Sequence, residues 1–383
     1  MAAINLPRVI RIGGGVLAEL PQVLAQAGLA RPLVVTDSWI EGSGLLQRVL
    51  DLLAGAGIAA RAFTGVVPDP TVTSIEAGCA VLAEGDHDCV IGLGGGSPID
   101  SAKIIAVKRD RAVRDLKAPH QENAPGLPIL AIPTTAGTGS EATRFTVITD
   151  AETDEKMLCA GLAYLPQIAL VDYELTLTKP ARLTADTGID SLVHAIEAYV
   201  SKQANPFADA MALSAMRLIW PNLPRACTDP GDRPAREALM LGALQGGIAF
   251  SNSSVALVHG MSRPIGAHFH VSHGLSNAML MPVVTQWSAP AALGRYADCA
   301  RAMALADEVE SDQSAVGRLV EALHRINADL AVPSPRDYGI DPARWDSLLP
   351  LMAEQALASG SPANNPRVPD TDEIVALYRQ AWA

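Results

Sequence analysis

No segment of this chain stays apolar for the roughly 20 residues that a membrane-spanning helix needs. The opening MAAINLPRVIRIGGG also lacks a basic stretch followed by a long apolar one, so no secretory signal is expected. Cysteines are few and scattered: Cys79, Cys89, Cys159, Cys227 and Cys299 are odd in number and form no CxxC pair. That pattern excludes a disulfide framework or a zinc knuckle and suits free, mostly buried thiols in a reducing compartment. Positive charge is in deficit, at 29 Lys and Arg against 41 Asp and Glu, a formal charge of −12. Nucleic acid and anionic membranes would be repelled by such a surface, although a local cationic pocket remains open. With no repeat or low-complexity tract either, a soluble cytoplasmic protein is expected.

What is present suits large cores. Apolar residues make up 49% of the 383 positions and charged residues 18%, with no sign of disorder, and the length points to two domains. RVIRI, PLVVTD, RAFTGV, CVIGLGGGS, LPILAIPTT, FTVITD and IALVD read as strands: short, branched, and ended by Gly, Asp or Pro. Between them VLAELPQVLAQAG, LLQRVLDLLAGAG and TSIEAGCAVLAEG carry apolar residues at helical spacing and end in glycine. This alternation predicts a mainly parallel sheet with helical cover. After Lys179-Pro180 strand signals fade and amphipathic helices such as VGRLVEALHRINADL take over. A boundary is therefore expected there, with residues 1–179 as an α/β domain and 180–383 as a helical one.

Two loops at strand ends bear on phosphate chemistry. In IGLGGGSPIDSAK (Ile91 to Lys103) three glycines let a backbone approach a phosphate, and Ser97 and Asp100 open the following helix, whose free N–H groups favour an anion. The loop is neither a Walker motif nor GxGxxG. PTTAGTGSEAT (Pro133 to Thr143) adds hydroxyls and small residues. Asp37, ending PLVVTD, either caps a helix or holds a ribose hydroxyl; in the second role it would repel a 2′-phosphate and favour NAD over NADP.

The helical half carries the sharper signal. Asp190 and His194 in TGIDSLVHAIEAYVS are four apart and so share a helix face. The stretch LVHGMSRPIGAHFHVSHGLSNA holds His259, His268, His270 and His273, half of the eight histidines. One carboxylate with several imidazoles suits Fe²⁺, Zn²⁺, Mn²⁺ or Ni²⁺, and the lack of thiolate argues against a structural zinc site.

GGGSPIDSAK, PTTAGTGSEAT, DTGIDSLVHAIEAY and VHGMSRPIGAHFHVSHGLSNA, in that order, together resemble the iron-containing (group III) alcohol dehydrogenase family, and the resemblance runs from RVIRIGGG to NNPRVP. It implies a Rossmann-like α/β domain and an all-α C-terminal domain, the architecture shared with dehydroquinate synthase, with the active site between them. It implies one divalent metal, Fe²⁺ first and Zn²⁺ second, on Asp190, His194, His259 and His273. NAD, in preference to NADP, would lie against Gly95, Gly96, Ser97 and Asp100, the threonines Thr134, Thr135, Thr138 and Thr143, and Lys156, with Asp37 the acidic residue tied to NAD preference. Asp69 takes a place where relatives often have Asn. A homodimer or larger homo-oligomer acting on a small alcohol or aldehyde is the expectation.

One position departs from the family pattern. Many members carry a second histidine four residues after the third ligand; here Arg263 stands there. Its guanidinium suits a clamp on a substrate carboxylate, phosphonate or sulfonate. An ion pair with Glu197 or a contact with cofactor phosphates are the alternatives, and His270 is the candidate for proton transfer. Rival activities are a dehydroquinate synthase-like lyase, a hydroxyacid–oxoacid transhydrogenase and a nucleotide-binding protein without turnover.

Overall fold

The computed structural model of the chain describes residues 3–152 and 155–383. Two compact units emerge, one of residues 5–178 and one of residues 179–383 with residues 3–4, so the expected α/β domain loses its first residues to the helical unit. Among the described residues, no single helix is long and apolar enough to cross a membrane.

In the first unit, strands β1 (Val9–Ile12), β2 (Pro32–Asp37), β3 (Arg61–Val66), β4 (Cys89–Gly94), β5 (Ile129–Pro133) and β8 (Ile168–Val171) form a parallel sheet in the order β1-β8-β5-β4-β2-β3. The antiparallel pair β6 (Phe145–Asp150) and β7 (Glu155–Ala160) stands apart as a second sheet. Helices α1 (Leu20–Ala27), α2 (Ser38–Gly42), α3 (Leu45–Gly55), α4 (Val72–Ala83) and α5 (Gly96–Val107) complete the unit. The central strands are apolar on both faces because both faces are covered. Val34, Ile91 and Leu130 pack with Leu24 of α1 and Val49 of α3. Their strand neighbours Leu33, Val90 and Ile129 pack with Ile75 of α4 and Ile105 of α5.

FTVITD, expected within the alternating series, instead forms β6 outside the main sheet and pairs with a strand that no sequence signal marked. That partner, EKMLCA, is poor in branched and aromatic residues, which is why it did not read as a strand.

The second unit is helical: α6 (Ala181–Val200), α7 (Pro206–Thr228), α8 (Arg233–Asn252), α9 (Leu257–Phe269), α10 (His273–Ser288), α11 (Leu293–Ala302), α12 (Asp312–Asp329), α13 (Pro342–Ala358) and α14 (Thr371–Ala381). Helix α6 is its centre, buried almost all round from Thr184 to Val200. Gly274 sits at the start of α10, where a Cβ would collide with the backbone carbonyl of Asp186. Only glycine lets α10 approach α6 this closely, and that contact sets His273 beside Asp190.

Candidate metal centre and nucleotide loops

Strands β2 and β4 are neighbours, but the chain leaves β2 toward β3 and β4 toward β5, on opposite sides. Parallel α/β sheets take ligands at the C-terminal ends of strands where the order reverses in this way. Asp37 ends β2, and Gly95, Gly96 and Ser97 follow β4. The Asp37 carboxylate accepts the Ile40 N–H at 2.8 Å and so caps α2 with one oxygen. Gly95 is the N-cap of α5 and offers no side chain to it, so the first-turn N–H groups stay available to an anion.

The threonine loop lies against this turn. Gly94 and Pro133 are register partners, and the Thr134 N–H donates to the Gly94 carbonyl at 2.9 Å. A Cβ on Gly96 would meet Thr138 Cγ2 at 2.9 Å, and one on Gly95 would lie 3.5 Å from Thr135 Oγ1. Thr135 and Thr138 therefore border the glycine turn, and glycine at position 96 makes room for them.

Asp100 and Thr143 face the other way, into a buried knot. Lys103 Nζ donates to Ser140 Oγ at 2.8 Å, Thr143 Oγ1 at 3.1 Å and the Phe145 carbonyl at 2.7 Å. Asp100 accepts from Ser140 Oγ at 2.6 Å and from the Val147 N–H at 2.9 Å. The knot ties the threonine loop and β6 to α5. Lys103 is fully buried, and burial pushes its amine down to about 8 against the pull of Asp100 and Glu141. Burial likewise raises Asp100, and it lifts the Glu141 carboxyl to about 7. Sequence reading missed Lys103, whose only sign was its place three residues after Asp100. Asp69 and Lys156 meet each other: Lys156 Nζ on β7 lies 2.8 Å from the Asp69 carboxylate, and Asp69 adopts a left-handed φ of 50°.

In the helical unit Asp190, His194, His259 and His273 converge, each offering one ligand atom, all within 4.8 Å of one another. From Asp190 Oδ1 the Nε2 atoms of His194, His259 and His273 lie 3.9, 3.6 and 3.7 Å away. Ligands of a tetrahedral ion with bonds of about 2.1 Å are separated by about 3.4 Å, so the three separations from Asp190 need only a small contraction. Helix α6 gives the first two by i,i+4 spacing, α9 the third and the first residue of α10 the fourth. His194 stacks on Phe250 at 4.3 Å and on His259 at 4.5 Å, which holds its ring.

The donor chemistry fits a divalent cation. Asp190 is 2% exposed and has no Lys or Arg partner among the described residues. Burial raises its pKa, but the neighbouring imidazoles in their protonated forms, with the His259 hydrogen bond, outweigh burial and hold the carboxyl well below its usual range. Burial pushes His194 down to about 3 and so keeps its ring neutral. His259 Nδ1 bonds Glu197 Oε2 at 2.7 Å. Glu197 is itself fixed by the N–H groups of Ala256 at 2.8 Å and Val258 at 2.6 Å. An Nδ1–H held by that carboxylate turns Nε2 toward the centre, the usual support for a metal-ligating histidine. Burial lowers the pKa of this ring, but Glu197 and Asp190 outweigh burial and raise it to about 9, so a cation binding there would displace the Nε2 proton. Two residues at the centre went unassigned by sequence. The sequence offers Glu197 only as a partner for Arg263, although it lies three residues after His194. Asn277, one turn after His273, donates to Asp190 Oδ1 at 2.6 Å.

The remaining histidines separate by role. His268 bonds Gln355 through Nε2 at 2.8 Å and so belongs to the packing of α9 on α13. His270 is exposed and ends α9 in a left-handed conformation with φ 55°. Arg263, one turn after His259, is half-buried, and no ion pair joins it to Glu197. Burial lowers its pKa, with Glu197 acting against that from a distance.

Comparison with known proteins agrees along the whole chain. The profile of the family described as iron-containing alcohol dehydrogenase matches residues 7–173, and that of the Fe-containing alcohol dehydrogenase family C-terminal region matches residues 184–382. The chain is 36% identical to lactaldehyde reductase of Escherichia coli strain K12 over 375 residues, 97% of each protein. It is 34% identical to an NADPH-dependent butanol dehydrogenase of Clostridium saccharobutylicum, over 99% of this chain and 97% of that one. The crystal structure of a 1,3-propanediol oxidoreductase superposes with a TM-score of 0.95 at 35% identity, covering 100% of both chains.

Proposed function

Since the chain belongs to the iron-containing alcohol dehydrogenase family, we propose that it exchanges a hydride between NAD(H) and a small alcohol or aldehyde at a divalent metal held by Asp190, His194, His259 and His273. It is an oxidoreductase of the alcohol dehydrogenase/aldehyde reductase type. The observation that carries the metal assignment is the meeting of one carboxylate and three Nε2 atoms, with the His259 tautomer fixed by Glu197.

A divalent cation held there supplies Lewis acidity toward an alcohol or carbonyl oxygen. The chain does the rest. Asp190 and Glu197 provide the buried negative charge that retains the cation, and Asn277 holds the Asp190 oxygen in place. Gly95, Gly96 and Ser97 accept the pyrophosphate, Thr134, Thr135 and Thr138 flank it, and Asp69 and Lys156 act together at the ribose. Asp100 and Thr143 serve the same loops from behind, through Lys103. Asp37 favours NAD over NADP by charge. His270, exposed at the end of α9, passes the released proton to water. Residues 1–179 thus form the nucleotide-binding domain and residues 180–383 the metal- and substrate-binding one. We assign Fe²⁺ as the metal, with Zn²⁺ the alternative for the same donor set.

The test is an NADH assay on apo protein reloaded separately with Fe²⁺, Zn²⁺, Mn²⁺ and Ni²⁺. Steady, metal-dependent NADH formation with one alcohol, highest with Fe²⁺, is expected. Tight nucleotide binding without net NADH change would instead favour a transhydrogenase or lyase.

A further inference from the structure

Arg263 is a charge without a visible counterpart. A guanidinium does not lose its proton in proteins, so burial leaves it cationic and in need of an acceptor. Among the described residues no hydrogen bond or ion pair engages it. The carboxylate with most influence on it, Glu197, is already committed: its Oε1 accepts from Val258, and its Oε2 accepts from Ala256 and His259. Diverting Glu197 to Arg263 would release the His259 ring, so the two demands compete. Arg263 stays half-buried, within reach of solvent, and partnerless.

Its place on α9 sets where an acceptor for this guanidinium would lie. Positions 259 and 263 are i and i+4, so Arg263 follows the ligand His259 on one helix face, with a rise of about 6 Å between them. A small molecule with an oxygen at the metal centre and an oxyanion a few bonds away spans that interval. A planar fork with five donors matches a carboxylate in bidentate fashion.

Resting on the dehydrogenase reading above, we propose that Arg263 clamps a substrate oxyanion, and that this enzyme's substrates are short hydroxy acids and the corresponding oxo acids, such as ω-hydroxycarboxylates and their semialdehydes. The reaction balances without further reagents. The carbinol C–H bond breaks, its hydride passes to C4 of the oxidised nicotinamide, the hydroxyl proton is released to solvent, and the oxyanion stays ionised on Arg263 throughout. Sulfonate carries the same negative charge and is the competing source of this chemistry.

The experiment compares kcat/KM of the metal-loaded enzyme for 3-hydroxypropionate and 4-hydroxybutyrate with that for 1-propanol and 1-butanol, adding 2-hydroxyethanesulfonate as the sulfonate arm. We expect the wild type to prefer the hydroxy acids. Arg263→Gln should lower the acid-to-alcohol ratio by about 100-fold, and Arg263→Lys, which keeps charge and loses the fork, by less. Calorimetric titration of the metal-loaded protein with butyrate gives a readout free of turnover, and binding should vanish in Arg263→Gln. Thermal unfolding of each variant checks folding. Equal ratios in wild type and Arg263→Gln would overturn the clamp, as would a rise in KM for NAD⁺ with the ratio unchanged, which would give Arg263 to the cofactor's phosphates. If neutral alcohols are oxidised but acids are not preferred, only the clamp fails. If neither is oxidised with any metal, the dehydrogenase reading fails first.

Discussion

Glu197 holds His259 by a 2.7 Å bond between Oε2 and Nδ1, and both oxygens of that carboxylate are steadied by backbone N–H groups at the start of α9. The ring orientation at the third ligand is thereby decided on α6, one turn below His194. Removing such a support typically costs 10- to 100-fold in metal affinity. Glu197→Gln, which keeps the shape and loses the charge, should weaken metal binding by about that factor in a competition titration with a chelator. An unchanged affinity would mean that Glu197 serves packing alone.

Asp37 has two separable functions, a cap and a charge. Asp37→Ser keeps a hydroxyl for the Ile40 N–H and removes the negative charge, so α2 should survive, where loss of a cap costs about 1 kcal/mol. The variant should use NADP⁺ markedly better relative to NAD⁺, by about tenfold or more in the ratio of kcat/KM values. No change in that ratio would remove Asp37 from nucleotide selection.

Glu141 makes the stability of the α/β unit depend on pH. Burial lifts its carboxyl from 4.5 to about 7, with Lys103 pulling the other way. Between those values the folded chain binds more protons than the unfolded one, so this group's contribution to stability falls as pH rises through the window. The slope is at most about 1.4 kcal/mol per pH unit, and the charge on Lys103 narrows the window by holding the folded-state value down. Urea midpoints at pH 5 and pH 7 should show wild type losing stability relative to Glu141→Gln as pH rises. A constant difference between the two would contradict the buried carboxyl.

Much of this was legible in the sequence, for physical reasons that also mark where legibility ended. Strands such as PLVVTD and CVIGLG are buried on both faces, so composition alone revealed them. EKMLCA is a strand only because FTVITD pairs with it, and a pairing is not a local property. Asp190 and His194 shared a face by helical period, whereas their meeting with His259 and His273 depends on the approach of α10 to α6 at Gly274, which no spacing reports. Asp100 and Thr143 belonged to the right motifs, yet their atoms turn inward to Lys103 because a buried ammonium needs every acceptor within reach. Glu197 was visible three residues after His194; only the structure shows that Nδ1 of His259, and not Arg263, takes it.

The metal content of the purified protein, counted per chain in wild type, Asp190→Ala, His194→Ala and His268→Gln, tests the central claim most directly. One divalent ion per chain in wild type and His268→Gln, and none retained after dialysis in the other two, is the predicted result. Equal metal in all four, or none in the wild type after growth and reloading with Fe²⁺ or Zn²⁺, would contradict the four-ligand centre.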